Sequence, residues 1–483
     1  MVAVGPVLFI IGLLMSLLAV AMSVPALVDL ATGHADWQVF AGSAGVSLFV
    51  GTGLMLVTRT GAHTRLGLRE AFLLTTMSWL AVAIVGAMPF AFSDLGMGVA
   101  DAFFESMSGI TTTGSTVIAD LDAVSPGILL WRALLQWLGG VGIIVMALAI
   151  LPILSVGGMQ LFVTEAFDTP DKVLPRAASL AGAIFAIYLL LTSICALALW
   201  LVGFSGFDAI THAMTTIATG GYSTRDGSIG FFENPRAEWI IVAGMIIGSL
   251  PFVYYLSAVR GEVMPIFRDS QVQWFLGVVV ISVGAVVLWL WLGLGMGPLE
   301  ALRYGTFNVI SVLTGTGYST AEFDSWGGFP FILLLCLMFV GGCAGSTTCG
   351  IKIFRFQVLY ATARVQVRQL MLPHGVFIAY YNRKPISESV SHAVMGFFYL
   401  YICSFVILAA ALGAIGLDFV TAMSGAATAL SNVGPGLGET IGPSGNFSTL
   451  PEAAKWLLSI GMLLGRLELF TVLVLFSAAF WTR

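Results

Sequence analysis

Long apolar runs separated by short polar segments make up most of the chain. Each run is about 20 residues long, the length of a helix that crosses the hydrocarbon core of a bilayer. The order of runs predicts two leading helices followed by four units of helix, loop and helix. The ten predicted membrane-spanning helices lie at 5–28, 38–58, 71–92, 128–154, 178–204, 238–259, 273–295, 329–348, 390–415 and 456–480.

Composition agrees with an all-α polytopic membrane protein. Of 483 residues, 58% are hydrophobic and only 9% are charged, whereas a soluble domain carries about 25% charged residues. The net charge of −5 gives no reason to expect a nucleic-acid partner. The five cysteines and five histidines are scattered and lack disulfide or metal-site spacing.

Four short segments between apolar runs repeat one Gly-centred, Thr/Ser-rich pattern. We call them signature loops 1 to 4, at 111–116, 218–224, 314–320 and 431–436. Their shared glycines, the ring glycines below, are Gly114, Gly221, Gly317 and Gly434, which lie 107, 96 and 117 residues apart. Four copies in matching contexts predict one shared cavity, because non-helical backbone at membrane depth must line a cavity or be buried in protein. The alternative is that Gly and Thr cluster here only as helix-packing residues.

A segment long enough for a short helix precedes each signature loop. Each segment opens with a carboxylate, which suits the positive N-terminal end of a helix. The C-terminal end of each helix would then point toward the shared cavity, where a cation is favoured. The four segments are 101–108, 208–215, 300–311 and 418–430.

Lys and Arg are distributed unequally between the two sides of this topology. Fourteen lie on the side that holds the chain ends and five on the side of the signature loops. The positive-inside rule therefore predicts that the signature loops open outward and that both termini are cytoplasmic.

The residues of the loops fit the chemistry of a desolvated alkali cation. K⁺ needs about eight oxygens, which rings of backbone carbonyls can supply in place of water. Glycine lets the backbone turn its carbonyls inward through φ values that other residues resist. Neighbouring Thr and Ser residues add hydroxyl oxygens or brace the loop.

Five motifs resemble the TrkH/TrkG branch of the Trk/Ktr/HKT superfamily of potassium transporters, over essentially the whole chain. They are FFESMSGITTTG at 103–114, QWLGGVG at 136–142, TGGYST at 219–224, GGCAGSTTCGIK at 341–352 and SNVGP at 431–435. The resemblance implies K⁺ uptake through a four-loop selectivity filter. The implied K⁺ filter residues are Thr112, Thr113, Gly114, Thr219, Gly220, Gly221, Gly315, Thr316, Gly317, Asn432, Val433 and Gly434. Loop 4 departs from the Thr-Gly pattern, since Val433-Gly434 is followed by Pro435, so the filter lacks true four-fold symmetry.

A glycine-rich segment at 341–350 interrupts the eighth apolar run. Each helical Gly costs about 1 kcal/mol against Ala, so we interpret the segment as an irregular break below the filter, and the resemblance implies an intramembrane gate. The alternative is a Gly-rich packing seam against a neighbouring helix. The expected gate residues are Gly341, Gly342, Gly345, Ser346, Thr347, Thr348, Gly350 and Arg466.

Arg466 stands near the centre of the tenth apolar run. An arginine at membrane depth faces protein or water rather than lipid, so we expect it to project into the pore as a fixed positive barrier. Snorkelling to a surface is the alternative. Glu468 is two residues further on, and we expect it to cap or brace a neighbouring helix, with a basic residue as its candidate partner.

Four basic residues follow the glycine-rich segment. They are Lys352, Arg355, Arg364 and Arg368. We interpret them as a cytoplasmic basic run that sets topology and contacts anionic lipid, with a docking face for a cytosolic regulator as the alternative.

The predicted organisation is one leading helix pair and four pore repeats in a bacterial inner membrane. The boundaries are 1–70 for the pair, then 71–155, 172–260, 272–355 and 388–483 for the repeats. The resemblance implies a cytosolic TrkA-type regulatory ring that binds NAD or ATP, and a homodimer. We expect K⁺ as the substrate and no cofactor.

Other functions explain the pattern less well. The K⁺-binding subunit of an ATP-driven pump and Na⁺/K⁺ symport remain alternatives. Secondary transporters of organic solutes usually show inverted repeats, whereas these four keep one orientation. Walker A, HExxH and nucleophile-elbow motifs are absent from the sequence, so we do not expect an enzyme.

Overall fold

The structure, a computed structural model, describes residues 4–59, 67–149, 158 and 173–482. Two leading helices precede four units that each contain an outer helix, a short helix and an inner helix. The leading helices are α1 (Val4–Thr32) and α2 (Trp37–Val57). They approach closely, because a Cβ on Gly12 would lie 2.6 Å from the carbonyl oxygen of Gly51.

The first two repeats contain seven helices. Repeat 1 is α3 (Leu68–Phe92), α4 (Val99–Ile110) and α5 (Pro126–Ala149). Repeat 2 is α6 (Val173–Leu201), α7 (Gly206–Ile217), α8 (Pro235–Ser249) and α9 (Phe252–Val259). A short helix α10 (Met264–Arg268) leads to repeat 3. The predicted residues 150–154 of span 4 lie outside the described residues.

The last two repeats follow the same plan. Repeat 3 is α11 (Ser270–Leu288), α12 (Pro298–Leu313), α13 (Gly328–Met338) and α14 (Ile353–Met371). A small antiparallel hairpin of β1 (Tyr380–Tyr381) and β2 (Lys384–Pro385) leads to repeat 4. Repeat 4 is α15 (Glu388–Ala414), α16 (Phe419–Ser431), α17 (Glu452–Arg466), α18 (Phe470–Leu473) and α19 (Ala478–Trp481).

Short irregular helices complete the fold. Three 3₁₀ turns, Leu121–Ala123, Ser228–Phe232 and Phe323–Trp326, follow signature loops 1 to 3. A π turn, Trp289–Gly293, ends α11, and a 3₁₀ turn, Val474–Phe476, separates α18 from α19.

The chain is a multi-pass membrane protein. Among the described residues seven helices are long and apolar enough to span a bilayer, and two bent helix pairs would raise the number to nine. Large apolar side chains cover their outer faces; Phe49 and Val57 on α2 and Ile281 on α11 are at least 73% exposed. Such faces suit contact with lipid, because charged residues avoid it.

Three predicted spans are not continuous helices. Span 6 bends by 99° between α8 and α9, and span 10 bends by 107° after Arg466. Pro251 lies at the first bend, where it cannot donate a backbone hydrogen bond. At the second bend Glu468 and Leu469 have φ values of 60° and 52°, which helices exclude. The predicted helix 329–348 ends at Met338, so the glycine-rich segment is non-helical as expected.

One hydrophobic core joins all four repeats. It includes Ile143 of repeat 1, Met245 of repeat 2, Leu334 of repeat 3 and Met462 of repeat 4. A second cluster joins the leading pair to repeat 1, with Met22 and Phe40 packed near Trp131. The four signature loops therefore lie within a single packed body.

Candidate functional site

Four short helices enter the site, as the sequence predicts. We call α4, α7, α12 and α16 short helices 1 to 4. Carboxylates stand at their N-terminal ends: Asp101, Asp208 and Glu300 in the first turns and Asp418 at the N-cap. Asp418 accepts a hydrogen bond from the backbone N–H of Thr421 at 3.1 Å. The helices therefore begin with negative charge at their positive ends.

The same turn ends every short helix. The residue before each ring glycine donates its N–H to the carbonyl five positions back, and the residue before that donor has positive φ. This is the hydrogen bond of a Schellman C-cap. The four pairs are Thr113 to Ser108 (2.9 Å), Gly220 to Thr215 (2.8 Å), Thr316 to Ser311 (2.9 Å) and Val433 to Thr428 (3.1 Å).

Positive φ alternates along each signature loop. It occurs two residues before the ring glycine, at 53° for Thr112, 49° for Thr219, 67° for Gly315 and 54° for Asn432. It occurs again at the ring glycines, at 88°, 77°, 83° and 115° for Gly114, Gly221, Gly317 and Gly434. Non-glycine residues rarely adopt this region, so four matching pairs identify one repeated backbone conformation.

The four loops meet in a closed ring. A Cβ on Gly114 would overlap the carbonyl oxygen of Gly220, and one on Gly221 would overlap that of Thr316. In the same way Gly317 faces the carbonyl of Val433, and Gly434 faces the carbonyl of Thr113, at 2.9 Å from its Cβ position. Each ring glycine thus abuts the carbonyl of the next loop, and loop 4 closes on loop 1.

Side chains brace this ring from behind. Thr111 and Thr113 hydroxyls bond at 2.8 Å, and Thr314 and Thr316 hydroxyls at 2.7 Å. Asn432 Nδ2 donates to Thr113 Oγ1 at 2.8 Å, which ties loop 4 to loop 1. The threonine hydroxyls predicted to bind an ion or to brace the loop therefore include several that bond within the protein.

Gln136 on α5 holds loop 2 on both sides of its ring glycine. Its Nε2 donates to the Gly220 carbonyl at 2.6 Å, and its Oε1 accepts from the Tyr222 N–H at 3.0 Å. The side chain is fully buried. The Gly220 carbonyl therefore accepts a hydrogen bond from Gln136 and also faces Gly114 in the ring.

A cavity of about 70 Å³ opens on the side where the chain leaves the ring. All four ring glycines line it, together with Arg132, Arg225 and Asp226. Its size is that of a few water molecules, which share about 30 Å³ each in the liquid. A small hydrated ion could therefore approach the ring from this side.

The glycine-rich segment closes on itself and packs against repeat 2. Its ends are joined by a parallel bridge in which Gly341 N–H donates to Ile351 O at 2.9 Å. Cys343 N–H donates to Ser249 O at 3.0 Å, and Thr347 N–H to Gly248 O at 3.1 Å. These bonds satisfy the last carbonyls of α8, which explains how span 6 tolerates its break.

Thr347 also reaches signature loop 2. Its hydroxyl lies within hydrogen-bond distance of two carbonyl acceptors, Gly248 O (2.9 Å) and Ile217 O (3.1 Å), and it accepts from Thr219 Oγ1 at 3.1 Å. Ser346 Oγ donates to Cys343 O at 2.6 Å and bonds to Thr348 Oγ1 at 2.7 Å. The segment is therefore buried and internally hydrogen-bonded, and it contacts signature loop 2 at Thr219.

Arg466 contacts the glycine-rich segment and repeat 1. Its Nη1 donates to Thr347 O at 3.2 Å and lies 2.6 Å from Cys349 Sγ, and its Nη2 donates to Gly139 O at 2.8 Å. Our prediction that Arg466 occupies the middle of a regular helix is wrong, because α17 ends at this residue. The helix ends here because Glu468 and Leu469 have positive φ values, which a helix excludes.

Glu468 forms a buried ion pair with Arg355. The expectation that Glu468 braces a neighbouring element through a basic partner is therefore correct. The interpretation of Arg355 and Lys352 as part of a surface run is wrong. Both are buried, and Lys352 Nζ donates to Thr348 O and Oγ1, whereas Arg364 and Arg368 are exposed.

Two further ion pairs, one fully buried and one with a partly exposed Asp101, were not predicted from the sequence. Arg132 Nε bonds to Glu105 Oε1 at 2.7 Å with both side chains at most 1% exposed, and Lys455 Nζ lies 2.5 Å from Asp101 Oδ1. Their signal was available, because opposite charges in so apolar a chain must be paired when buried. Sequence spacing alone could not show which residues meet.

This arrangement is typical of a polytopic cation transporter built from four pore-loop repeats. It combines the closed ring, the four short helices and the buried glycine-rich segment. The TrkH family, described as "Cation transport protein", matches residues 38–483. The chain belongs to this family.

Its relatives resemble it over nearly their full length. The Trk system potassium uptake protein TrkI of Halomonas elongata is 44% identical over 99% of this chain and 97% of its own. TrkH of Escherichia coli K12 is 39% identical over 98% of both chains. The crystal structure of the potassium transporter TrkH from Vibrio parahaemolyticus superposes with a TM-score of 0.91 at 37% identity, covering 99% of both chains.

Proposed function

We propose that this protein takes up K⁺ across the bacterial inner membrane through the ring of signature loops. The observation that carries the proposal is the closed ring, in which a carbonyl from each loop lies against the ring glycine of the previous one. Its proposed K⁺ ligands come from the twelve filter residues named above. The relatives described as potassium uptake proteins support K⁺ as the substrate.

Electrostatics supports a cation at the ring. Four short helices direct their C-terminal ends toward it, and each end carries roughly half an elementary negative charge. Backbone carbonyls can replace the hydration shell of K⁺. The ring thus stabilises a cation without a buried carboxylate as ligand, so the ion can also leave.

The glycine-rich segment and Arg466 form the proposed gate. The hydrogen bonds of the Thr347 hydroxyl with Ile217 and Thr219 connect the segment with the entry of loop 2. A guanidinium held at Thr347 and Gly139 adds positive charge that opposes a passing cation. Opening would require these bonds to be exchanged for others or for water.

The proposed assembly follows the family resemblance. It comprises a homodimer in the membrane and a cytosolic TrkA-type ring that binds NAD or ATP and controls the gate. The charge asymmetry of fourteen to five supports cytoplasmic termini.

Growth and ⁸⁶Rb⁺ influx test the proposal in a bacterium that lacks its own K⁺ uptake. The chain is expressed with its candidate regulator at low external K⁺. We expect rescue, and we expect Gly114→Ser to weaken it and to make Na⁺ inhibitory. No rescue by protein present in the membrane with a working regulator would favour another ion or a pump subunit.

A further inference from the structure

One position of the short helices lies behind the ring in all four repeats. It is nine residues before the ring glycine and is occupied by Glu105, His212, Asn308 and Gly425. In the first three repeats this side chain bonds to the chain two or three residues after the ring glycine. We infer that these three side chains and Arg132 are positioning residues, which fix the geometry of the ring and thereby its ion selectivity. This inference rests on the proposed K⁺ pathway.

In repeat 1 the connection is ionic. The Glu105 carboxylate accepts from Val117 N–H at 2.9 Å and from Thr116 Oγ1 at 3.1 Å, and it pairs with Arg132. Arg132 Nη1 also donates to Ser223 O at 2.9 Å, and its guanidinium lies 4.0 Å from the centre of the Tyr222 ring. Arg132 therefore joins the exits of loops 1 and 2.

In repeat 2 the connection is an imidazole. His212 Nδ1 lies 2.8 Å from Asp208 O, and Nε2 lies 3.0 Å from Ser223 Oγ. Because a carbonyl only accepts, Nδ1 carries the proton, and Nε2 of the neutral ring accepts from the Ser223 hydroxyl. Ser223 is thus held by His212 through its hydroxyl and by Arg132 through its carbonyl.

In repeat 3 the connection is an amide. Asn308 Nδ2 donates to Thr320 Oγ1 at 2.9 Å, and its Oδ1 accepts from Thr320 N–H at 3.1 Å. The residue is fully buried. Two bonds to one residue fix both the position and the orientation of the loop exit.

Repeat 4 offers a natural control. Gly425 has no side chain, and a Cβ there would lie 3.3 Å from the flexible Ile441 Cδ1. Loop 4 is held one residue earlier instead, where Ser424 Oγ accepts from Leu437 N–H at 2.9 Å. A methyl group at position 425 therefore fits after a small shift of Ile441, and it leaves the Ser424–Leu437 hydrogen bond intact.

The side chains of Glu105, His212 and Asn308 do not bond to the carbonyls that face the ring glycines. They act on the loop exits, so losing one frees the ring to widen while its ligands remain. Carbonyl rings discriminate between ions by size and field strength, so the expected effect is on selectivity more than on transport itself. A merely structural role would change the amount or stability of the protein and leave selectivity untouched.

The test measures ⁸⁶Rb⁺ influx and its inhibition by Na⁺, normalised to protein in the membrane. Asn308→Leu removes both bonds to Thr320 at similar volume, together with the bond from Nδ2 to Tyr304 O within the helix. We expect the Rb⁺-to-Na⁺ preference to fall about tenfold, the effect of roughly 1.4 kcal/mol of lost hydrogen bonding. Thr320→Val keeps the backbone bond and should give a smaller fall. Gly425→Ala is the matched control and should behave as wild type, because its Cβ comes closest to the flexible Ile441 side chain.

The ion pair needs a paired design. Glu105→Gln or Arg132→Gln alone leaves one buried charge unpaired, which commonly prevents folding. The double variant Glu105→Gln/Arg132→Gln removes both charges, and we expect it to insert and to lose selectivity without losing influx.

Unchanged preference in Asn308→Leu and the double variant, at normal protein levels, would overturn the inference. Reduced protein levels with unchanged preference per molecule would also overturn it, and if Asn308→Leu fails to insert, Thr320→Val decides. Absence of Rb⁺ influx in the wild-type protein would instead contradict the proposed function.

Discussion

At the residue scale, the signature loops contain two kinds of left-handed residue. Thr112 and Thr219 adopt positive φ at helix ends, where the cap hydrogen bond offsets a cost of about 1–2 kcal/mol for an L residue. The ring glycines meet a second restriction, because a Cβ there would also overlap backbone of the next loop. Threonine is therefore tolerated at the first position, whereas any side chain at the second must displace backbone of the next loop.

Gly221→Ala tests that distinction. Its Cβ would overlap the Thr316 carbonyl, and backbone cannot move aside as a side chain can. We expect Rb⁺ influx per molecule to fall at least about tenfold, since the conformational cost alone reaches about 1–2 kcal/mol. Gly277→Ala is the matched control, because Gly277 is helical and has open space around its Cβ position. Equal influx in the two variants would argue against a packed ring.

The Arg355–Glu468 pair gives a second prediction at this scale. Arg355 is fully buried, and its guanidinium lies 3.8 Å from the centre of the Phe397 ring. Glu468→Gln removes the negative charge that Glu468 places against this buried guanidinium, so we expect a loss of up to about 3–5 kcal/mol in stability. Thermal unfolding of purified protein in detergent measures the loss. Arg364→Ala, at an exposed position of the same helix, should leave the midpoint unchanged.

At the element scale, repetition explains what could be predicted from the sequence. The short helices lie where the segments before the four loops place them, because each copy repeats its carboxylate and its glycine. The bends of spans 6 and 10 could not be predicted in the same way. Pro251 marks the first break, and Arg466 and Glu468 flank the second, but apolar residues on both sides of each break predict continuous spans. The groups that satisfy the freed carbonyls of Gly248 and Ser249 come from residues about 100 positions away.

Charge placement was similarly misleading where tertiary contacts decide it. Arg355 lies in a stretch whose other arginines, Arg364 and Arg368, are exposed as expected. Only the break after Arg466 brings Glu468 to Arg355, and nothing local predicts that turn. The wrong prediction of a continuous span 10 thus led to the wrong interpretation of Arg355.

Thr347→Val tests the contact between the glycine-rich segment and repeat 2. Valine keeps the shape and the backbone bond to Gly248 but loses the hydroxyl bonds to Gly248 and Ile217. We expect a weaker hold on the closed conformation by about 1 kcal/mol, hence about fivefold more Rb⁺ influx without the regulator. Thr52→Val, whose hydroxyl bonds only within the exposed face of α2, should behave as wild type. Unchanged basal influx in Thr347→Val would remove this contact from the gate.

At the scale of the whole molecule, contacts between repeats connect the ring to the rest of the fold. Arg466 of repeat 4 bonds to Gly139 of repeat 1 and Thr347 of repeat 3. Lys455 of repeat 4 pairs with Asp101 of repeat 1, and Tyr318 of loop 3 bonds to Thr215 of short helix 2. These contacts join the four repeats into one packed unit around the ring.

Orientation in the membrane is the prediction that belongs to the entire chain. The cavity at the ring opens among the loop exits, whereas the basic helix α14 lies beyond the glycine-rich segment. The positive-inside rule places α14 in the cytoplasm. We therefore expect the exposed residues Ser444 and Gln369 to lie on opposite sides of the membrane.

Cysteines introduced at these two positions report the orientation directly. In a background with Cys195, Cys336, Cys343, Cys349 and Cys403 replaced, a membrane-impermeant maleimide should label Ser444→Cys in intact cells. Gln369→Cys should react only after permeabilisation, because the positive-inside rule predicts that its side chain faces the cytoplasm. The reverse pattern would place the cavity inside, and ions entering the ring from that cavity would then move outward. Uptake through the ring therefore requires labelling of Ser444→Cys from outside.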